Sequence, residues 1–76
     1  MANRDADAIA FKIVKHIGVI ATYDNGWAKE LNIVSWNDAV PKFDIRDWSP
    51  DHARMTRGIT LHENEARSLM NVLATI

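Results

Sequence analysis

The sequence predicts an α+β chain: a curved four-stranded antiparallel sheet, then one C-terminal helix, assembled as a homodimer. Three observations carry that expectation. Apolar side chains alternate at the two-residue period of a strand through most of the chain, broken by turn-forming residues at Asp24-Asn25-Gly26 and Asn37-Asp38-Ala39-Val40-Pro41. From His62 onward the period lengthens to that of a helix. Finally, the chain has 76 residues, 47% of them hydrophobic and none a cysteine, so it must complete a core without disulfides or thiolate-bound metal. A small domain buries a modest fraction of its surface, and pairing with a second copy is the simplest remedy.

Residues 1–8 are small and polar with mixed charge, and read as a flexible arm before a single domain over 9–76. From Ile9 to Tyr23 the odd positions are almost all apolar and rich in β-branched residues, which predicts a long strand. Gly18 lies near its middle, where a bulge would curve it. Asp24-Asn25-Gly26 predicts a hairpin with a two-residue type I′ turn. The next strand, Trp27 to Trp36, is semi-apolar on both faces, as suits a sheet with its helix on one side and a partner or ligand on the other.

Pro41 stands where a third strand begins, and that strand ends at Trp48. Ser49-Pro50 predicts a short helical turn, Ser49 as cap and Pro50 in the first position. Ile59-Thr60-Leu61 is long enough only for an edge strand. The helix follows, with Ala66, Leu69, Met70, Leu73 and Ile76 in one stripe, Glu63 and Glu65 at its positive end, and Glu65 placed to close a capping box on residue 62.

The third strand carries the functional signal. Phe43, Ile45 and Asp47 point one way, while Lys42, Asp44, Arg46 and Trp48 point the other. Cations and an indole two residues apart on an open sheet suit a ligand with negative charges and flat rings, as in single-stranded nucleic acid. The plain alternative is a core-packed Trp48 beside a solvated Arg46. A formal charge of −1 means that any such binding leans on stacking and a local patch, since Phe11 to Arg57 holds seven Lys and Arg against six acids.

Other chemistries are poorly served. Asp44 and Asp47 project to opposite faces of a strand and cannot share a metal ion, and Asp51 and His52 suit the turn after Pro50. His16, His52 and His62 share no ligand spacing, and there is no phosphate-binding glycine loop or nucleophile elbow. We therefore expect no catalytic residue, no metal, no cofactor and no small-molecule substrate. The N-terminus has neither a membrane-spanning run nor the order of a secretory signal, which predicts a cytoplasmic protein, nucleoid-associated if bacterial.

Lys42-Phe43-Asp44-Ile45-Arg46-Asp47-Trp48, followed by Arg57-Gly58-Ile59-Thr60-Leu61 and an acidic-first helix, resembles the single-stranded-DNA-binding domain of the transcriptional coactivator positive cofactor four. The string Gly26 to Asn37, with Trp48-Ser49-Pro50-Asp51-His52, is more similar still to the bacterial YdbC-type branch of that family. The resemblance covers about residues 9 to 76. It implies a dimer whose curved sheets present grooves to unpaired strands, with base-stacking aromatics at Trp36 and Trp48 and cations at Arg46, Arg57 and Lys29.

The candidate nucleic-acid-binding set is thus Trp36, Arg46, Trp48, Lys42, Arg57, Lys29 and Trp27. The implied partner is single-stranded DNA, bound with little sequence specificity in transcription, replication or repair, with RNA left open by the residues. Two departures stand out. A single Trp follows Asp47 where the coactivator has a Tyr-Trp pair, and the long Ser-rich regulatory arm is absent. The competing reading is a dimeric protein-interaction module that docks another protein on exposed tryptophans.

Overall fold

The computed structural model describes residues 10–76. Four strands, β1 (Phe11–Thr22), β2 (Ala28–Trp36), β3 (Lys42–Trp48) and β4 (Ile59–Leu61), precede the helix α1 (Glu63–Leu73). They form an antiparallel meander in the order β1-β2-β3-β4. The expected arm and Ile9 lie outside the described residues.

β1 keeps its length by bending. Its pairing with β2 shifts register between Ile13 and Lys15, between His16 and Gly18, and between Val19 and Ala21. Each irregularity adds local twist, so the curvature expected at Gly18 is spread over three places. The β1–β2 hairpin differs from the expected two-residue turn. Gly26 N–H donates to the Tyr23 carbonyl at 2.9 Å and Tyr23 N–H to the Trp27 carbonyl at 2.8 Å, with Gly26 at φ 89° and Asn25 in ordinary φ space. That is a three-residue loop with a left-handed glycine after a turn; a type I′ turn would need positive φ at both central residues.

After β3 a single hydrogen-bonded turn forms, His52 N–H donating to the Ser49 carbonyl at 2.9 Å, and it does not continue into helix. Ser49 is buried, its hydroxyl donating to Asp51 at 2.7 Å and accepting from the Arg54 N–H at 3.0 Å, while His52 takes φ 59°. These side-chain bonds to backbone outcompete helix initiation. The segment 49–58 instead folds back on β3, bridging Trp48 to Met55. At the start of α1 the Glu65 carboxylate accepts from the His62 N–H at 2.8 Å, the expected half of a capping box.

Register assigns the two faces. Ala28, Glu30, Asn32, Val34 and Trp36 share a face with Lys42, Asp44, Arg46 and Trp48, while Leu31 and Ile33 share the other with Phe43 and Ile45. The alternation read on β3 is therefore observed, but the burial it suggested is inverted. On the face bearing the charges, Val34, Asn32, Asp44 and Trp48 are essentially sealed. The apolar face is only half-buried: α1 meets it lightly, and among the described residues no helix side chain is buried. We call the first the inner face and the second the helix face.

Candidate nucleic-acid interface

At one end of the inner face, where β2 ends, Trp36 is half-buried. The Arg46 guanidinium lies 4.5 Å from its ring centroid, and Phe11 stands tilted against it at 6.0 Å. A guanidinium on one ring face contributes about 0.5 to 2 kcal/mol and holds the indole in place.

Arg46 is itself held. It donates through Nη2 to Asp44 Oδ2 at 2.8 Å and through Nε to Asp44 Oδ1, and its Nη1 donates to the Thr56 carbonyl at 3.3 Å. Thr60 adds a hydroxyl donor to Asp44 Oδ2 at 3.0 Å. Asp44 is fully buried and the Arg46 side chain only 13% exposed, so the pair neutralises itself beneath the indole. Gly58 makes room: a Cβ there would collide with the Ile45 carbonyl and the Arg46 side chain. The string Asp44-Ile45-Arg46, with Gly58 and Thr60 beside it, thus builds a bracket for Trp36.

Lys42 is on the same face as Arg46 and is partly exposed. Arg57 is exposed next to Gly58. Lys42, the register partner of Val34, lies toward the Trp36 end, while Arg57, two residues before the Ile59 that pairs with Ile45, offers its charge toward the Asp47 end of β3.

The remaining candidates go elsewhere. Trp48 is 1% exposed, with Phe11 at 5.2 Å and His52 at 5.7 Å between ring centroids. It is core, and this corrects the expectation of a displayed indole: the 49–58 segment and the bent start of β1 cover the surface that β3 alone would have left open. Its Nε1 and that of Trp36 are buried without an acceptor among the described residues. Lys29 is on the helix face, where its Nζ donates to Asp47 at 2.9 Å and Tyr23 donates to the same oxygen at 3.2 Å. The Asp47 bond raises the Lys29 pKa above its ordinary 10.5, and the Lys29 ammonium lowers Asp47 below its ordinary 3.8. Trp27 stands at the opposite end of β2 from Trp36, with Arg54 5.8 Å from its ring centroid. Arg54 was not singled out from sequence, because its partner is 27 positions away and the turn that brings it there follows no periodicity.

The same geometry separates the two carboxylates weighed for metal chemistry. Asp44 faces inward to Arg46 and Asp47 outward to Lys29. Among the described residues, no helix is long and apolar enough to cross a membrane.

The Asp-Ile-Arg bracket, the glycine that lets it close and the acidic start of the helix all fall within residues 23–72, the stretch matched by the profile of the family described as Transcriptional Coactivator p15 (PC4). The chain belongs to that family. It is also similar to an uncharacterized protein of Treponema pallidum (strain Nichols), 39% identical over 67 residues, which span 88% of this chain and 79% of that protein. The family match includes every candidate residue, among them the sealed Trp48 as well as the half-exposed Trp36.

Proposed function

We propose that the chain binds unpaired DNA with little regard to sequence, stacking a base on Trp36 and meeting phosphates with Lys42 and Arg57. The observation that carries this reading is the Arg46-backed indole at the end of β2, in a member of the p15 coactivator family. Arg46 is a positioning residue, because its charge is spent on Asp44. One stacked base contributes about 1 to 3 kcal/mol and tolerates any base. Each neutralised phosphate adds a salt-dependent term with a slope of about −0.7 on single strands.

The homodimer belongs to the same reading. Met70, Val72 and Leu73 are each more than half exposed, and Ile17, Val19 and Ile20 of β1 also stand in solvent. A groove of about 380 Å³ opens between α1 and the sheet, lined almost wholly by apolar side chains including Leu31, Phe43, Ile45 and Met70. A second copy covering this surface would supply the core that one chain lacks and set two inner faces side by side, giving avidity for a shared strand.

Fluorescence anisotropy with labelled oligo(dT) tests the binding. Trp36→Ala is expected to weaken it about 5- to 150-fold, the equivalent of one lost stack. Competition with RNA and duplex of equal length then ranks the partners, with duplex expected last. An unchanged affinity in Trp36→Ala would overturn this mode of binding.

A further inference from the structure

A second cluster on the inner face has no part in the Trp36 bracket. The Glu30 carboxylate, 5% exposed, accepts from His52 Nε2 at 2.9 and 3.1 Å and from Asn32 Nδ2 at 3.1 Å. Asn32 is fully buried, and its Oδ1 stands 2.7 Å from His16 Nδ1. With Ile13, these groups line a pocket of about 280 Å³.

The bonding order dictates both imidazole tautomers. A carboxylate can only accept, so His52 carries its proton on Nε2 and Asn32 turns its amide nitrogen to Glu30. The Asn32 oxygen then faces His16, which must donate from Nδ1. Each ring therefore spends its protonated nitrogen inward, leaving His52 Nδ1 and His16 Nε2 without partners among the described residues. Both side chains are well exposed, at 40% and 51%.

The charges facing the cluster are few. Glu30 is the cluster's own carboxylate, 3.6 Å from His16 Nδ1, and Asp44, the register partner of Asn32, faces it from β3 with its charge taken by Arg46. On β3, Arg46 is the register partner of Glu30 but is turned to Asp44, and Trp48 offers His52 an aromatic ring. With neutral imidazoles the cluster carries −1 and presents lone pairs, both unfavourable to a phosphate. With both protonated it carries +1 and presents two N–H donors to solvent.

We propose that His16 and His52 form a phosphate-binding site for the unpaired strand that is switched on by protonation. The proposal rests on the nucleic-acid reading above. His16 pairs with Asn32, four positions along β2 from Trp36 on the same face, so the site lies roughly 13 Å from the stacking platform. Taking a proton turns each imidazole from a lone-pair acceptor into a cationic donor. Glu30 acts through the imidazoles by holding their orientation.

Anisotropy titrations of oligo(dT) over a salt series at pH 8.0 and pH 6.0 decide it. The wild-type slope of log affinity against log salt is expected to steepen at pH 6.0 by up to about 1.4, two charges at about 0.7 each, with binding up to about 25-fold tighter at 0.1 M salt. In His16→Gln/His52→Gln the slope is expected to be the same at both pH values, with affinity at pH 8.0 within about twofold of wild type. Should the double variant fail to fold, each single variant should lose about half of the steepening. Equal wild-type slopes at the two pH values, or unchanged pH dependence in the variants, would overturn this site and leave Trp36 binding standing. No binding at either pH would overturn both.

Discussion

The two faces of the sheet solve opposite problems. The inner face carries most of the charged residues of β2 and β3, yet it is the one the chain closes for itself. Asp44 is paired with Arg46, Glu30 with His52, and the 49–58 segment lies over Trp48. The helix face is lined by Leu31, Phe43, Ile45 and Leu61, yet the chain leaves it half open under a helix with no buried side chain. Polarity along a strand therefore does not say which face is interior. A buried charge with a complete set of partners is tolerated inside, and an apolar surface left in solvent points to a partner.

Unbalancing the inner face should have the largest effect. Asp44→Ala strands the Arg46 guanidinium in a nearly sealed site and should cost about 3 to 5 kcal/mol. For a domain of this size that is a fall in melting temperature of roughly 15 °C or more by circular dichroism. A fall of only a degree or two would show that the pair is not part of the core.

Next in size is the helix face. Met70→Glu with Leu73→Glu changes two exposed side chains, so one chain should keep its sheet while a dimer should not survive. Burying carboxylates against an apolar surface should raise the dissociation constant at least thirtyfold, about 2 kcal/mol. Light scattering should then report a single-chain mass, where the proposed wild-type dimer would give twice that value. A single-chain mass for wild type itself would remove the dimer and make the exposed helix stripe a surface for some other partner.

The smallest effect lies in acid. Asp47 is lowered below 3.8 chiefly by Lys29, and Asp51 chiefly by the Ala53 N–H and then the Ser49 hydroxyl. A carboxylate whose folded pKa lies below its unfolded value contributes stability that is complete above the unfolded value and lost as pH falls through the folded one. Stability should therefore slip below about pH 4, and Asp51→Asn should flatten part of that slope in urea melts from pH 5 to pH 2. An identical slope in the variant would mean that the Ser49 turn does not depend on the Asp51 charge.

Much of the architecture was legible in the residues. Period-two alternation placed β2, β3 and β4 within a residue of where they lie, and the acidic start at Glu63 and Glu65 marked α1. The hairpin was located correctly at Asp24-Asn25-Gly26 but mistyped, because glycine tells that one positive φ is required and not how many. The site was legible in part. Trp36, Lys42, Arg46 and Arg57 were singled out, but the Asp44 partnership of Arg46 joins next-but-one neighbours on a strand, which alternation places on one face without saying that they bond. The Glu30-His52 pair spans 22 positions and depends on a left-handed His52, which no local pattern announces.

By itself the sequence determined which residues share a face, since side-chain alternation follows from backbone geometry and needs no tertiary contact. It also determined where the strands stop and where the helix starts, through glycine, proline and capping chemistry that act within a few residues. The tertiary structure alone decided which face is interior, sealed Trp48 while leaving Trp36 at the surface, and brought two distant histidines to one carboxylate. Those outcomes depend on how a ten-residue return segment and a thrice-shifted strand close over the sheet, a balance of long-range contacts that no window of sequence contains.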